Sequence, residues 1–230
     1  MLKVNQLTGF GGKYKSSTPP SDFTPSSLSN LDLWFDATNG LSAVTLGDPI
    51  STWVAEVGGN ATQSGTARPT KTTLGGKVCA SFDGTDDEMV LGTNPLTNTS
   101  FTIFALLYRA STTDKFCVFG NSTSNLPIGI YPYQSSGVFF GSSSKYGSGT
   151  DLTTGWNYYV GTWDGTNMTM RRNGANVTLS SSSTTGASSW NRLGKRGSEN
   201  TKGGIFSCGH YSRVLTAGEI TSLETYLAGL

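Results

Sequence analysis

Along most of the chain, apolar and polar residues alternate in steps of two. In Leu31-Asp32-Leu33-Trp34-Phe35-Asp36-Ala37, Leu31, Leu33 and Phe35 alternate with Asp32, Trp34 and Asp36, the period of a half-buried β-strand. Val78-Cys79-Ala80-Ser81-Phe82 reads as a strand and runs into the turn pair Asp83-Gly84. The run 100–108 is longer and mostly apolar, which predicts a central strand covered on both faces. Shorter runs follow at 116–119, 128–133 and 138–140. The clearest local signal comes next. Residues 156–163 lead into Asp164-Gly165, residues 167–172 lead into Asn173-Gly174, and 176–179 close the unit. Asp-Gly and Asn-Gly adopt positive φ at little cost, so this pattern predicts a three-strand antiparallel meander. The segments 82–85 and 163–166 look alike, but no fixed period accompanies them, so they share turn chemistry and are not a repeat.

A last strand is predicted at 204–211, followed by the one convincing helix. Thr216 and Glu219 form a capping box, and Ile220, Leu223 and Leu227 supply an apolar stripe. At about 12 residues such a helix is stable only when packed on the body. About a dozen strands with one short helix predict two stacked antiparallel sheets. Residues 1–30 differ from the rest. Gly9-Phe10-Gly11-Gly12 and Ser16-Ser17-Thr18-Pro19-Pro20-Ser21 suit no regular element, and Thr24-Pro25 suits a short helical turn near 25–29. The division is an irregular N-terminal arm, 1–30, and one domain, 31–230. The arm reads either as an unpacked tail or as a segment that docks on a neighbouring subunit.

Composition narrows the function classes. The chain has 230 residues, 16 Lys+Arg against 15 Asp+Glu, and a net charge of +1. That balance lacks the basic excess that releases counterions from nucleic acid. Charged residues are only 13% and hydrophobic ones 35%, with 30 glycines filling the difference alongside Ser and Thr; an aromatic share of 11% still supplies a core. Cys79, Cys117 and Cys208 are an odd number, widely spaced, and read as buried free thiols. No apolar run approaches the roughly 18 residues of a membrane span. The start, Met1-Leu2-Lys3-Val4-Asn5-Gln6, lacks a signal peptide's basic-then-apolar design. Asn-x-Ser/Thr triplets at Asn60, Asn98, Asn121, Asn167 and Asn176 then reflect composition, and assembly in a cytoplasm is expected.

Catalytic patterns are sparse. Glycosidases flank the cleaved bond with two carboxylates, about 5–5.5 Å apart when retaining and about 6.5–9.5 Å apart when inverting. Here Glu56, Glu88, Glu199, Glu219 and Glu224 are the only glutamates, and none has a carboxylate two positions away in a strand-like run. His210, the single histidine, sits in a predicted strand and reads as packed or surface-bound, not as a base. In Arg171-Arg172 only one of the pair can face a given side of a strand. No nucleophile elbow and no phosphate loop are present. The acidic stretch Asp83, Asp86, Asp87 and Glu88 is the best candidate site. It reads as solvated turn chemistry, with a hard-cation site for calcium, on Asp83, Asp86 and Asp87, as the sharper alternative. No other cofactor is indicated.

The ordered set Leu33-Trp34-Phe35-Asp36-Ala37, Val78-Cys79-Ala80-Ser81-Phe82-Asp83-Gly84-Thr85-Asp86-Asp87, the hairpin 156–174 and the closing run 204–227 resembles the concanavalin A-like jelly roll. The likeness is to the laminin G-like domains of microbial and viral proteins and covers about residues 30–229. It implies an all-β, two-sheet antiparallel jelly-roll sandwich with one short C-terminal helix. It also implies a concave face, and roles in binding glycans or proteins, as an accessory module or as a structural part of a virion. Glycoside hydrolases and polysaccharide lyases share the fold, but the sparse carboxylates and lone histidine point to a non-enzyme. Ring-and-amide chemistry for sugars falls on Tyr131, Tyr133, Tyr146, Trp190 and Asn191, while Trp34, Trp53, Trp156 and Trp163 read as core. The low-charge, Gly/Ser/Thr-rich style and the arm favour a phage virion component, a head decoration or cement protein or a tail adhesin. A free lectin-like module is the alternative. The partners expected are other virion proteins through the arm, further copies of the chain as a homo-oligomer, and a host-surface polysaccharide, without nucleic acid and without membrane insertion.

Overall fold

A computed structural model describes residues 22–93, 100–121, 129–133, 137–141, 145–149, 153–183 and 190–230, with the backbone alone for the segments between 129 and 149 and for 180–183. The largest sheet has eight strands, all paired antiparallel. Numbered in chain order, they lie side by side as β14 (Ala175–Val177), β13 (Met168–Arg172), β12 (Gly155–Trp163), β7 (Phe101–Arg109), β19 (Lys202–Tyr211), β5 (Lys77–Asp83) and β4 (Thr70–Leu74). The eighth, β1 (Leu31–Asp36), pairs with the C-terminal half of β19, beside the stretch that β5 leaves free. The sequence of strands β12, β13 and β14 is the predicted meander, and Asn173, with φ of 47°, makes its second turn.

The opposing layer is assembled from shorter strands. One sheet runs β2 (Thr52–Trp53), β3 (Ala61–Thr62), β6 (Met89–Leu91), β16 (Arg192–Leu193) and β8 (Phe119–Gly120). Another runs β15 (Ser180–Ser183), β11 (Lys145–Gly149), β10 (Gly137–Gly141) and β9 (Gly129–Tyr133). Strand β9 lies against β7 and β12, and β10 against β13, which places this sheet in the layer facing the large one. A two-stranded ribbon, β17 (Lys195–Arg196) with β18 (Glu199–Asn200), completes the described strands. Two layers of antiparallel sheet around one core are the stacked sheets that the period-two pattern predicts, and they agree with the jelly-roll sandwich that the resemblance implies.

Strand β7 shows how the sequence positions that core. Every residue of it but Tyr108 is buried, as its nearly unbroken apolar run predicts. Its odd-numbered positions face the second layer. There the ring of Phe101 meets Trp190 at 5.4 Å, and Trp190 stacks on Phe119 at 5.6 Å. Its even-numbered positions face outward under a cover of loop and helix. Thr102 donates its hydroxyl to Arg213 O at 2.9 Å and accepts from Leu215 N at 3.0 Å. A short turn, α1 (Ala37–Gly40), follows β1, with Asp36 accepting from Thr38 N at 2.8 Å. The main helix is α2 (Ala217–Gly229); the capping box at Thr216 and Glu219 is formed, and Leu223 and Leu227 are buried. Tyr226 of α2 sets its ring edge-on to Trp34 at 6.3 Å.

Two expectations shift. The run 116–119 is fully buried, but only Phe119 and Gly120 form a strand. Thr201 instead holds the loop by accepting from Cys117 N at 2.8 Å and donating to Cys117 O at 3.0 Å. Residues 22–30, expected within the irregular arm, pack on the body from Phe23 onward. Pro25 starts a 3-10 turn and its carbonyl accepts from Tyr211 Oη at 2.8 Å, while Phe23 and Leu28 cover apolar core. Residues 1–21 lie outside the described part.

Candidate functional site

The acidic turn after β5 is built by its own sequence. Gly84 takes φ of 84°, which an L side chain resists. Asp83 Oδ1 then accepts from Thr85 N at 2.7 Å and from Asp86 N at 3.4 Å, the local bonding that favours aspartate at turns. Asp87 reaches back and its Oδ2 accepts from Asp83 N at 2.8 Å. Thr66 Oγ1 donates to Asp86 at 3.2 Å, and Asn200 Nδ2 donates to Thr85 O. As a result a ligand oxygen from each of Asp83, Asp86 and Asp87 falls within 4.8 Å of the others. Burial pushes the Asp87 carboxyl up to about 6, helped by the neighbouring charges of Asp83 and Asp86 and opposed by the Asp83 amide. Asp87 can therefore hold a proton near pH 6, and three carboxylates this close can accept a hard cation. Calcium takes about six to eight oxygens, so the turn would supply only part of its shell. Glu88, grouped with these acids in the sequence, turns away: its Oε2 lies 3.4 Å from Arg192 Nε and 3.6 Å from Lys195 Nζ.

Next to this turn, on the outer face of the large sheet, lies an open cleft of about 220 Å³. Register sets Gly204 directly opposite both Ser81 on β5 and Tyr108 on β7. A Cβ at this glycine would come within 2.7 Å of Cys79 Sγ and 3.0 Å of Leu74 Cδ1, so the space over it is already packed, and the cleft lies between the flanking side chains, Ser81, Leu74 and Tyr108 among them. Tyr108 forms one wall and is held from behind by Trp156, with ring centroids 5.4 Å apart. Trp156 is itself anchored by an indole hydrogen bond to Leu74 O at 2.9 Å. Asp83, Asp114 and Lys202 form the polar rim, and Lys202 Nζ lies 3.7 Å from Asp114 Oδ1.

The other charged candidates are engaged in structure. Glu199 pairs with Lys115 at 3.1 Å and Arg196 at 2.6 Å, and Glu224 receives Arg171 at 2.8 Å. Arg213 holds the Glu219 carboxyl down at about 2, its guanidinium bonding both oxygens at 2.8 Å. His210 is fully buried between Phe101 and Trp190, with Nδ1 3.3 Å from Asp32 Oδ2. Burial pulls its pKa down to about 4, so it stands neutral at physiological pH. The thiols are free and buried as expected; burial raises Cys79 and Cys117 to about 12 and Cys208 further.

The sugar-binding candidates divide. Trp190 has no exposed surface and is a core ring, so it offers no face to a ligand; this corrects its placement in a binding loop. Asn191 is half-buried, and its backbone links two strands by accepting from Leu91 N and donating to Gly120 O, each at 3.0 Å. Tyr131, Tyr133 and Tyr146 have side chains outside the described part. Their backbone register puts the three positions on one face of the β9–β10–β11 sheet. The four other tryptophans behave as core: Trp34, Trp53 and Trp163 are buried and Trp156 is half-buried. Sequence reasoning missed Tyr108, Asp114 and Lys202, because no local pattern shows that β5, β7 and β19 lie side by side.

Residues 83–221, more than half of the chain, match the family described as the concanavalin A-like lectin/glucanases superfamily. The chain belongs to this superfamily. No curated protein matches it. Among solved structures, it is similar to Trypanosoma rangeli sialidase at 13% identity and a TM-score of 0.56, covering 87% of this chain and 33% of the sialidase. The chain thus spans about one third of that enzyme's length. It is also similar to domain 4 of AbnA, a GH43 extracellular arabinanase from Geobacillus stearothermophilus, in complex with arabinotriose. That likeness has 18% identity and a TM-score of 0.51, covering 86% of this chain and 99% of the domain. A GH54 α-L-arabinofuranosidase matches at 11% identity and a TM-score of 0.53, over 78% of this chain and 50% of its own. At these identities the superfamily fold is what is shared. Among the described residues, no helix is long and apolar enough to cross a membrane.

Proposed function

We propose that this superfamily member is a non-catalytic module that recognises glycans through its surface. The observation that carries the reading is the outer-face cleft, where a braced tyrosine ring meets carboxylates and an amine. Sugars present apolar ring faces and a rim of hydroxyls, and such a pairing of flat ring with fixed polar groups suits both. The fold supports the reading, since the similar arabinanase domain is described in complex with arabinotriose. Four of the five glutamates, Glu88, Glu199, Glu219 and Glu224, are tied to arginine or lysine, and the one histidine is buried and neutral. The low-charge composition further supports display of the module on an assembled particle such as a virion.

The test is a polysaccharide array run with the purified chain, paired with a reducing-sugar assay on every ligand bound. Binding without cleavage is expected. Cleavage that disappears when one carboxylate is replaced would overturn the non-catalytic part, and silence across the array would overturn recognition. For the particle setting, mass spectrometry of purified particles should find the chain in fixed proportion to the other components; its absence from them would remove that setting.

A further inference from the structure

The cleft beside the acidic turn also carries information about which sugars it accepts, given the glycan-binding reading above. Its rim holds two carboxylates, Asp83 and Asp114, against one ammonium, Lys202. Lys202 already leans on Asp114 at 3.7 Å. Asp86 and Asp87 gather within 4.8 Å of Asp83 in the adjoining turn. The local field is therefore negative although the whole chain is nearly neutral. Like charges across a binding surface suppress the wrong partner more than they strengthen the right one. Carboxylate oxygens are acceptors only, so they suit the hydroxyl donors of a neutral sugar, while Lys202 donates to its ring or hydroxyl oxygens. The volume, about 220 Å³, is below the usual range of roughly 300–1,000 Å³ for drug-sized ligands. It fits a single ring stacked on Tyr108 with the rest of a chain outside.

We propose that the Tyr108–Ser81–Lys202 cleft is the glycan subsite and that it selects one neutral sugar residue over sialic acid and uronic acids.

The subsite is separable from the core. Ser81 lies on the cleft side of β5 and is half-buried, and Lys202 keeps most of its side chain in solvent. Ser81→Phe fills the cleft from the floor. Lys202→Ala removes the one donor from the rim. The probes are lactose, cellotriose and arabinotriose, with sialyllactose and trigalacturonate as acidic counterparts, titrated by calorimetry in low and high salt.

At least one neutral probe should bind, and its acidic counterpart should bind roughly tenfold or more weakly at low salt, with the gap narrowing as salt screens the rim. Ser81→Phe should abolish binding with its unfolding midpoint unchanged. Equal or tighter binding of the acidic probes would overturn the selectivity. Unchanged binding by both Ser81→Phe and Lys202→Ala would overturn the location while leaving glycan recognition intact. No binding of any probe by the unaltered chain, on the titration and on the array, would remove the glycan reading itself.

Discussion

Replacing Asp87 by asparagine takes one negative charge out of the acidic turn and leaves an oxygen to accept the Asp83 amide. In the folded chain this carboxyl is raised from 3.8 to about 6 by burial and by its acidic neighbours. About two pKa units correspond to roughly 3 kcal/mol at 1.36 kcal/mol per unit. Asp83 beside it is exposed and Asp86 half-buried, so solvent screening reduces the usable value to about 1–1.5 kcal/mol. The sign follows from proton uptake. Between pH 4 and 6 the folded chain retains a proton that the unfolded chain has released, so this group's favourable contribution is complete below about pH 4 and lost as pH rises through 6. Asp87→Asn removes that loss. At pH 8 the variant should be more stable than the parent by about 1–1.5 kcal/mol, a rise of roughly 3–5 °C in Tm for a chain of this size. At pH 4.5 the two should nearly coincide. Urea unfolding followed by tryptophan fluorescence at both pH values measures the difference. A variant that is less stable than the parent by the same amount at both would refute the reasoning, because the carboxylate would then be needed for its shape and not penalised for its charge. Repeating the pH 8 series with calcium adds a second reading: a gain confined to the parent would show the three carboxylates holding the cation.

The remaining expectations test other parts of the molecule. His210, lowered to about 4, contributes stability that is present above pH 6.5 and lost as pH falls toward 4, up to about 3 kcal/mol; His210→Phe should remove this acid limb from a stability–pH curve, and an unchanged limb would reject the assignment. Trp190→Ala should cost about 3–5 kcal/mol by emptying the space between Phe101, Phe119 and His210, whereas a loop tryptophan would cost little in the same denaturation assay. Deleting residues 1–28 removes Pro25 O from Tyr211 Oη and Phe23 from the Tyr226 ring, so the midpoint should fall markedly, while a chain beginning at Asp22 keeps these contacts; equal midpoints would show that the segment contributes nothing. Gly209→Ala places a Cβ within 2.5 Å of the Phe104 ring and 2.6 Å of Leu33 O, and should lower stability by about 1–3 kcal/mol through overpacking.

Much of the architecture is a local property of the chain. Period-two runs, Asp-Gly and Asn-Gly turns and the Thr216–Glu219 capping box each act over fewer than ten residues, so β1, β5, β7, the meander β12–β14, β19 and helix α2 could be read before any contact was known. The turn at Asp83–Asp87 was legible for the same reason, since the bonds of Asp83 and Asp87 that shape it run between five neighbouring residues.

Other features depend on long-range pairing, which no local pattern encodes. Trp190 stands in polar sequence and reads as a binding ring; it is core because β16, two residues later, is drawn between β6 and β8. Residues 22–30 carry no strand signal, yet Tyr211 and Tyr226, nearly 200 residues away, bind them. The cleft exists because β5, β7 and β19 lie side by side and bring Ser81, Tyr108 and Lys202 together. Strand identity was thus decided by side-chain periodicity within each segment. Register between segments, and with it every cavity and every buried charge, was decided by burial energies that only the assembled sandwich brings together.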